Sequence, residues 1–378
     1  MVNITPKEIM RILYFYPEQE NDFMFYWQRI HFVNELEEHG LKIDILNPLK
    51  YESLAASYDA LLETIGKVKY DLFFMSAPRY INKEMLEIIR KKGIPSLCFR
   101  PDNLLIPYID KDIANYFDLV WLTARETENL YKKWGVNYFF APYAANPMTF
   151  FPIDCQQKHK MCFVGTPYGS RSNLINNIVS NNIELDVFCK NNPNLSSGDF
   201  KPGFQMPELS THTLLIKNLM FKTGRKVIYS NVLNKFQTHE LDEDATSLHL
   251  LPKVPFDELN RIYSSYALSL ASTSARNTDI LREPVGVVNL RAFEIPMAGG
   301  LQFCRYNEEL AGYFEEDKEI VFYRDNLDLI EKANYYTKRA SEGEIVKIKK
   351  AARTRAEGEH TWWHRFVKAF DILGIKYD

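Results

Sequence analysis

The residue types best suited to chemistry lie in one stretch, from Arg282 to Arg305. Its pattern predicts a loop, a helix that begins near Asn289, and a glycine stop before a short buried strand. Arg291 lies in the first turn, where unpaired backbone N–H groups and a guanidinium together suit a phosphate. Glu294 lies one turn later, where its carboxylate can accept hydrogen bonds from the two hydroxyls of a ribose. Phosphate and ribose together indicate a nucleotide-sugar pocket.

An ordinary packed helix explains the same residues without any ligand. Such a helix would end at Gly299 and Gly300 and be followed by a strand at Leu301–Cys304, as in many α/β folds. Arg291 and Glu294 would then form an i, i+3 pair on its surface. A short motif taken alone does not exclude this alternative.

A second loop suited to phosphate follows the apolar run Met161–Val164. Gly165 and Thr166 begin this loop, and Arg171 lies near the start of a helix predicted from about Ser170. Glycine lets the backbone approach a diphosphate closely, and the arginine adds positive charge beside the helix start. This loop is therefore a second candidate for the donor phosphates.

The central run resembles a known family. Asn289–Glu294, followed by Ala298–Gly300, is similar to the CgeB-like (spore-maturation type) glycosyltransferases of the GT-B superfamily. The similarity continues through Tyr313–Tyr323. It ends with Glu359–Arg365, which looks like the closing H-T-x-x-x-R helix of that family. It covers roughly the last third of the chain well and is fainter over Met161–Arg171.

The resemblance implies a fold and a set of roles. The fold is two facing Rossmann-like domains, with the final helix crossing back onto the N-terminal domain. Glu294 is expected to bind ribose, while Arg291 and Arg282 face the diphosphate. Asn289 belongs to the same donor site, and the backbone near Val254 is expected to surround the nucleotide base.

One position departs from the family's pattern. Many retaining GT-B enzymes carry a second glutamate eight positions before the ribose glutamate, and here that position is Gly286. Glu283 is nearby but out of register. The sequence therefore leaves open whether the anomeric configuration is retained or inverted.

A catalytic base, if the reaction needs one, should come from the first domain. Asp102 follows a strand predicted to end at Phe99, where it can act as a base or hold an acceptor hydroxyl. An Asx turn or helix cap is the commoner role for such a residue. Glu18 and His31 are further candidates, although the apolar helix pattern around His31 favours a core or surface histidine.

Alternating strand and helix patterns must position these residues. Apolar runs at Ile9–Tyr16, Leu41–Leu46 and Tyr70–Ser76 alternate with helical spacing and glycine stops, which is typical of a parallel, doubly wound sheet. No G-x-G-x-x-G follows the first strand, so no dinucleotide is assigned to this half. The predicted fold class is α/β.

The length of 378 residues predicts two domains, and the proline-rich segment Ala141–Pro152 is typical of a linker. We predict an N-terminal Rossmann-like, acceptor-side domain over residues 1–150. A Rossmann-like nucleotide-sugar donor domain follows over 151–358. The C-terminal helix, 359–378, is predicted to pack on the N-terminal domain.

The donor domain contains a region with little periodicity, at about 190–247. Its polar, Asn-, Pro- and Ser-rich composition indicates an insertion that is specific to the acceptor. Within it, Leu214–Phe221 and Lys226–Leu233 are predicted to form a helix and a strand.

The composition of the chain limits which classes of binding partner, and which cellular location, are expected. The net charge of -3 gives no global basic field, so we predict no nucleic-acid partner. The five cysteines are dispersed, which predicts reduced thiols in a cytoplasmic protein. The N-terminus does not look like a signal peptide, and no apolar stretch approaches the length of a spanning helix. Peripheral contact with a membrane is left open.

Three functions fit these observations. The first is a metal-independent glycosyltransferase without a cofactor, which moves a sugar from a nucleotide-sugar donor to a glycan, lipid-linked or protein acceptor. No D-x-D pair lies at a strand end, and Asp242–Asp244 falls in the insertion. The second is a non-catalytic nucleotide- or carbohydrate-binding protein. The third is a GT-B-shaped sugar-nucleotide epimerase, for which no converging carboxylate and histidine set is found.

Overall fold

The computed structural model describes residues 9–18, 23–104, 107–190, 213, 216–237 and 240–377. These residues form two compact units. The first contains the chain up to Pro142 and again from Trp362, and the second runs, with gaps, from Tyr143 to Thr361. The sequence prediction placed these boundaries at 150 and 358. Most of the first half of the predicted insertion falls outside the described residues.

The first unit is built on a parallel sheet in the order β2-β1-β3-β4-β5-β6. Its strands are β1 (Arg11–Phe15), β2 (Lys42–Leu46), β3 (Leu72–Met75), β4 (Ser96–Arg100), β5 (Leu119–Leu122) and β6 (Tyr138–Phe140). Its helices are α1 (Phe23–Gln28), α2 (Asn34–Glu38), α3 (Leu54–Lys67), α4 (Lys83–Lys91) and α5 (Glu128–Lys133). A π-helical turn at Arg29–Val33 joins α1 to α2.

The second unit has a parallel sheet in the order β12-β11-β10-β7-β8-β9. Its strands are β7 (Lys158–Val164), β8 (Leu185–Lys190), β9 (Leu248–Pro252), β10 (Tyr266–Ala271), β11 (Gln302–Arg305) and β12 (Val321–Tyr323). Its helices are α6 (Ser170–Ser180), α7 (Lys222–Asn234), α8 (Phe256–Ser265), α9 (Arg291–Met297), α10 (Glu308–Ala311), α11 (Asn326–Lys338) and α12 (Glu342–Glu359). Two parallel α/β sheets confirm the predicted fold class.

The last helix, α13 (Trp362–Leu373), belongs to the first unit. The Trp362 ring is fully buried and lies edge-on to Phe32, with ring centroids 4.6 Å apart. The buried Glu35 carboxylate accepts hydrogen bonds from the backbone N–H groups of Trp362 and Trp363, at 3.2 and 2.8 Å. A carboxylate at a helix N-terminus stabilises the helix because it compensates the partial positive charge there. The final helix therefore returns to the first unit, as the family resemblance implied.

Two elements differ from the sequence predictions. Lys226–Leu233 was predicted as a strand, because valine, isoleucine and tyrosine favour β-structure, but it lies inside helix α7. No element was predicted for α3, although Ser53 caps it and Leu61 and Ile65 are buried four positions apart. Cap and spacing together are the sequence signal that could have identified α3.

The described residues contain no helix long and apolar enough to cross a membrane.

Candidate functional site

A small cavity lies in the second unit at the point where its strand order reverses. The chain leaves β7 towards β8 on one side and leaves β10 towards β11 on the other, and β7 and β10 are neighbours. Ligands of open α/β sheets bind at such a switch point, beside the carboxyl ends of the strands. The cavity has a volume of about 40 Å³, and its lining comprises Phe163, Val164, Arg171, Tyr263, Leu270, Ala271, Ser272, Asn289, Arg291 and Ile295.

The predicted arginine and glutamate of helix α9 contact each other. Arg291 donates from Nη1 to Glu294 Oε2, and the carboxylate is 1% exposed. The i, i+3 pairing was one of the two sequence alternatives, but the pair is not on the surface: Glu294 is buried, and Arg291 lines the cavity. Burial alone would lower the pKa of Arg291, whereas the neighbouring carboxylate raises it, and the net direction is upward. The Arg291 guanidinium is therefore held in its charged form.

Helix α9 begins later than predicted, at Arg291 rather than near Asn289. Asn289 instead donates its side-chain N–H to the carbonyl of Ser272, at 2.8 Å. This hydrogen bond joins the loop before α9 to the end of β10. The following strand is also displaced by one residue, to Gln302–Arg305. Boundaries are the least certain part of a prediction from periodicity, and here a loop hydrogen bond takes the place of the first turn.

Close packing fixes the end of α9. Gly299 has φ +72°, and a Cβ there would lie 2.9 Å from the Cβ of Pro152. A Cβ on Gly300 would lie 3.0 Å from the Cβ of Tyr263. Arg353 of α12 donates to the carbonyl of Phe150, at 2.6 Å, and to the carbonyl at the end of α9. The two glycines therefore allow α8 and the linker to pack against the end of α9.

Tyr263 was not predicted from the sequence. It lies on α8, lines the cavity and is only 1% exposed, and its hydroxyl has no hydrogen-bond partner among the described residues. Burial raises the pKa of Tyr263, so the hydroxyl keeps its proton. A buried polar group without a partner is costly in a folded protein and requires an explanation. A ligand oxygen in the cavity would give this hydroxyl a partner.

The loop between β7 and α6 approaches the polar loop after β10. Gly169 has φ +57°, and a Cβ there would lie 2.0 Å from Oδ1 of Asn277. The same oxygen is 3.4 Å from the backbone N of Ser170, at the start of α6. The close approach predicted for a diphosphate at these glycines is thus made at Gly169 by an asparagine side chain. Gly165, with φ +153°, lies at the other end of the loop.

Two arginines lie against one tyrosine beside this loop. The guanidinium carbons of Arg171 and Arg276 are 4.5 and 5.3 Å from the ring centroid of Tyr168. Arg171 also donates to the carbonyl of Thr166, at 3.4 Å. Arg276 was missed because it lies in a polar loop without periodicity. Cation–π contacts of this kind restrain two long side chains that would otherwise be mobile.

The predicted donor residues are therefore only partly brought together. Arg171, Asn289 and Arg291 line one cavity, and Glu294 is paired with Arg291. Val254 follows edge strand β9, two strands away from β7, and does not line the cavity. Arg282, which is exposed, does not line it either. Sequence reasoning found the arginines through their helix starts, whereas Tyr263 and Ser272 depend on tertiary packing.

The position of the absent second glutamate has a physical explanation. A Cβ on Gly286 would lie 2.8 Å from Nδ2 of Asn307. Asn307 is buried and donates to the carbonyl of Thr273, at 3.3 Å. A glutamate at position 286 would collide with this asparagine. Glu283 does not replace it, because its side chain is 83% exposed and pairs with Lys226.

The first unit contains the remaining candidates. Asp102 lies in the turn after β4, is exposed, and has a left-handed backbone conformation with φ 47°. Glu18 is buried and forms a bidentate ion pair with Arg29: Nε donates to Oε1 at 2.5 Å, and Nη2 donates to Oε2 at 3.0 Å. His31 is fully buried in the π-helical turn, with its ring 5.6 Å from that of Trp362. The burial of His31 fits the core-histidine alternative.

Three solved structures are similar to nearly the whole chain. Sucrose-phosphate synthase from Thermosynechococcus elongatus matches with 12% identity and a TM-score of 0.59, over 96% of this chain and 98% of that one. HepE from Anabaena, in complex with UDP and glucose, matches with 9% identity and a TM-score of 0.55, over 97% and 100%. An alpha-glucosyltransferase in complex with UDP and a 13-mer DNA matches with 11% identity and a TM-score of 0.59, over 97% and 100%. These likenesses show the GT-B fold.

Sequence comparison adds information on the second half of the chain. Residues 218–371 match the family model described as "Glycosyl transferase-like". This match includes helix α9 with Arg291 and Glu294, and it ends within α13. A search of curated protein sequences gives no significant match. The sequence comparison thus gives a glycosyl transferase-like match over residues 218–371, and the solved structures show the fold of nearly the whole chain.

Proposed function

We propose that the protein is a glycosyltransferase that takes a sugar from a nucleoside diphosphate donor bound at the switch point of the second unit. One observation carries the proposal. Arg171, Asn289 and Arg291 surround the cavity at the ends of β7 and β10, and the partnerless Tyr263 hydroxyl borders the same cavity. The match of residues 218–371 to a glycosyl transferase-like family supports it. We further propose that the chain belongs to the CgeB-like subtype, on the resemblance of Asn289–Glu294.

The chemistry assigned to this site is stabilisation of a departing anion. As the bond between sugar and phosphate breaks, negative charge develops on the diphosphate. Guanidinium groups already held in place, such as those of Arg171 and Arg291, stabilise that charge without reorganising. We propose that this charge compensation makes a metal ion and a cofactor unnecessary. The predicted roles of Arg282 on the diphosphate and of Val254 near the base belong to the same proposal.

The pairing of Arg291 with Glu294 suits two roles at once. A guanidinium has five N–H donors, so the contact from Nη1 leaves others for phosphate oxygens. A buried carboxylate needs a neighbouring cation to stay ionised. With Arg291 beside it, Glu294 is held as a carboxylate, which is the form that accepts ribose hydroxyls. We propose that the arginine binds the donor and also keeps the glutamate charged.

The remaining part of the proposal concerns the acceptor and the base that activates it. We propose a glycan, lipid-linked or protein acceptor and keep Asp102 as the candidate base. Asparagine tolerates the left-handed conformation that Asp102 adopts, so Asp102→Asn removes the charge without straining the turn. If Asp102 is the base, this variant loses transfer to the acceptor and still binds the donor. All five cysteines are free thiols, which supports a cytoplasmic location.

The experiment is a donor screen followed by a matched pair of variants. Uridine, guanosine and other nucleotide sugars are tested by thermal shift and by release of nucleoside diphosphate, with and without EDTA. Glu294→Gln should weaken donor binding by about tenfold or more, because a charge-assisted hydrogen bond is lost. Glu283→Gln is the control, since it changes an exposed carboxylate in the same segment. Equal donor binding by Glu294→Gln and wild type would contradict the proposed site.

The same screen separates the alternatives. A binding protein would shift its melting temperature with a donor and release no diphosphate. An epimerase would change the sugar of the donor while the diphosphate bond stays intact. Loss of activity in EDTA that Mg²⁺ restores would contradict the metal-independent mechanism.

A further inference from the structure

Helix α7 and the residues beside it form an unusual surface in the second unit. Phe236 is 83% exposed, and Leu219, Met220, Tyr229 and Val232 are also exposed. Large apolar side chains scattered singly over a surface are normal. Here five of them lie within the short segment Leu219–Phe236, on one helix or directly beside it, so they are concentrated in one part of the unit. We name this patch, together with its cations, the α7 surface.

The two faces of α7 are reversed relative to those of an ordinary surface helix. The buried positions are Gly224, Val227 and Ser230, of which two are glycine and serine. The exposed Tyr229 and Val232 are three positions apart, on the side that points away from the unit. A helix of a soluble protein normally turns its large apolar side chains inward. Burial within this unit therefore does not explain the apolar side chains of α7.

The inner face of α7 has a structural task of its own. Asn231 accepts a hydrogen bond from Asn277, at 2.8 Å. The side-chain oxygen of Asn277 in turn approaches the backbone N of Ser170, at 3.4 Å. Beside the buried Val227, the inner side of the helix thus carries a polar residue that holds the loop after β10 beside the start of α6. The outer face makes no contribution to this arrangement.

Within the segment 219–237 the charged side chains have a single sign. Four cations lie in the segment 219–237, which contains no aspartate or glutamate: Lys222, Arg225, Lys226 and Lys235. The chain as a whole has a net charge of -3, so the segment differs from the rest of the molecule. Lys226 pairs with Glu283, at 3.3 Å, whereas Lys222, Arg225 and Lys235 are exposed.

We propose that the α7 surface binds an anionic phospholipid membrane. Exposed apolar side chains on a helix enter the boundary between headgroups and acyl chains, and the surrounding lysines and arginines attract anionic headgroups. The helix would lie on the membrane, not across it.

A second copy of the same chain fits this surface less well. In a two-fold symmetric dimer each residue of the patch faces the same patch on the partner. The cations of the two copies would then lie opposite one another, and like charges held close together repel. An anionic surface has the complementary charge. The proposal rests on these contacts and charges alone and does not depend on the identity of the donor.

The experiment is co-sedimentation of the full chain with vesicles. One set contains phosphatidylcholine only, and the other contains about one-third phosphatidylglycerol, an anionic lipid. We expect binding to the anionic vesicles to be at least about tenfold tighter than to the neutral ones, and to weaken at high salt. Equal binding to both sets, or binding to neither, would overturn the proposal.

Two variants test the apolar and the basic contributions separately. Phe236→Ser should weaken binding by about tenfold, because an aromatic side chain no longer enters the lipid. Lys222→Gln with Arg225→Gln should weaken it by roughly 30-fold, since each cation contributes about 1 kcal/mol near an anionic surface. All three residues are exposed, so folding should be unaffected, and circular dichroism verifies this.

Matched controls come from elsewhere in the same unit. Leu327→Ser changes a side chain that is 84% exposed, and Lys347→Gln with Lys350→Gln removes two exposed cations of α12. Both controls should bind anionic vesicles like wild type. If the α7 variants also bind like wild type, the proposal is wrong. If Phe236→Ser instead abolishes self-association and leaves vesicle binding intact, the surface is an interface between copies, which likewise overturns it.

Discussion

Each unit contains an arginine–carboxylate pair with a tyrosine beside it, and the two clusters differ in whether the tyrosine hydroxyl has a hydrogen-bond partner. In the first unit Arg100 and Asp110 are buried, with Nε and Oδ2 2.5 Å apart. The Tyr131 hydroxyl is 3.2 and 3.1 Å from the two carboxylate oxygens. In the second unit the Arg291–Glu294 pair borders a cavity, and the hydroxyl of Tyr263 has no partner in the described part of the chain.

This difference separates a pair enclosed within the first unit from a pair that borders the cavity we propose as the donor site. In the first cluster the protein supplies both the cation and the tyrosine hydroxyl that face the Asp110 carboxylate. In the second, Arg291 lines an open volume and Tyr263 keeps an unused hydrogen-bonding group in a buried place. Burial alone therefore does not identify a functional residue, and the proposal for Tyr263 rests on three observations together: its burial, its hydroxyl without a partner in the described residues, and its place beside the cavity.

The largest expected effect is on the stability of the first unit. Arg100→Leu leaves the Asp110 carboxylate buried without its cation, which should lower the free energy of unfolding by about 3–5 kcal/mol. All five tryptophans lie in the first unit, so urea unfolding followed by their fluorescence reports on it. Arg90→Leu is the control, because its ion pair with Asp118 is half exposed and should contribute less than about 1 kcal/mol. If both variants lost a similar free energy of unfolding, the buried pair would be no more important for stability than the exposed one.

The second effect is on activity. Arg291→Ala should lower the rate of sugar transfer by about 100-fold, because a group that stabilises the leaving diphosphate is lost. The tryptophan-detected unfolding of the first unit should not change. Arg261→Ala, on the exposed side of α8, serves as the control and should transfer sugar like wild type. Unchanged transfer by Arg291→Ala would assign both ion pairs to structure.

Lys349 is a third buried cation, and it differs from the two arginines because it donates its hydrogen bonds to neutral oxygens and not to a carboxylate. Lys349 Nζ is 2.8 Å from the carbonyls of Ser264 and Tyr266 and 2.8 Å from the side-chain oxygen of Gln157. Burial lowers the pKa of Lys349 to about 8, below the usual value of a lysine. Between pH 8 and about 10 the unfolded chain therefore binds more protons than the folded one, and stability rises with pH in this window.

Calorimetry of wild type and Lys349→Met over this pH range measures the effect. The free energy of unfolding of wild type, relative to the variant, should increase by about 1 kcal/mol as the pH rises from 8 to 9, and by about 2 kcal/mol as it rises from 8 to 10. Below about pH 7 the lysine is protonated in both states, and the difference should be constant. A difference that falls with rising pH would show that the folded protein keeps Lys349 charged, as it does Arg291.

The smallest effects come from the two tyrosines. Tyr131→Phe removes a hydroxyl that hydrogen-bonds to a buried carboxylate and should cost about 1–2 kcal/mol of stability. Tyr263→Phe removes a hydroxyl without a partner in the described residues, so stability should be unchanged, while donor affinity falls by up to about tenfold. Thermal unfolding and donor titration of both variants measure this. Equal stability losses would mean that Tyr263 is bonded within the protein.

The alternation of apolar runs, helical spacing and glycine stops was sufficient for the architecture. It predicted the parallel sheet of the first unit, whereas the second was implied by the family resemblance, and in the central stretch it located α9 and β11 to within two residues. It failed at Lys226–Leu233, because residue propensity favours a strand there and only packing decides which face of the segment is covered. The candidate binding residues were found where an arginine lies near a predicted helix start, as Arg171 and Arg291 do, because a helix start suits a phosphate.

The sequence by itself determined the α/β class, the two units, and the arginines and glutamate placed around a helix start, because these depend on local periodicity and residue type. Tertiary structure alone decided that the Arg291–Glu294 pair is buried beside a cavity, that Tyr263 borders this cavity without a partner in the described residues, and that Asn307 fills the space beside Gly286. Each of these contacts joins segments that are distant in the chain or depends on which face of a helix is buried. Such relations are set by how strands and helices pack, and no local pattern of residues encodes them.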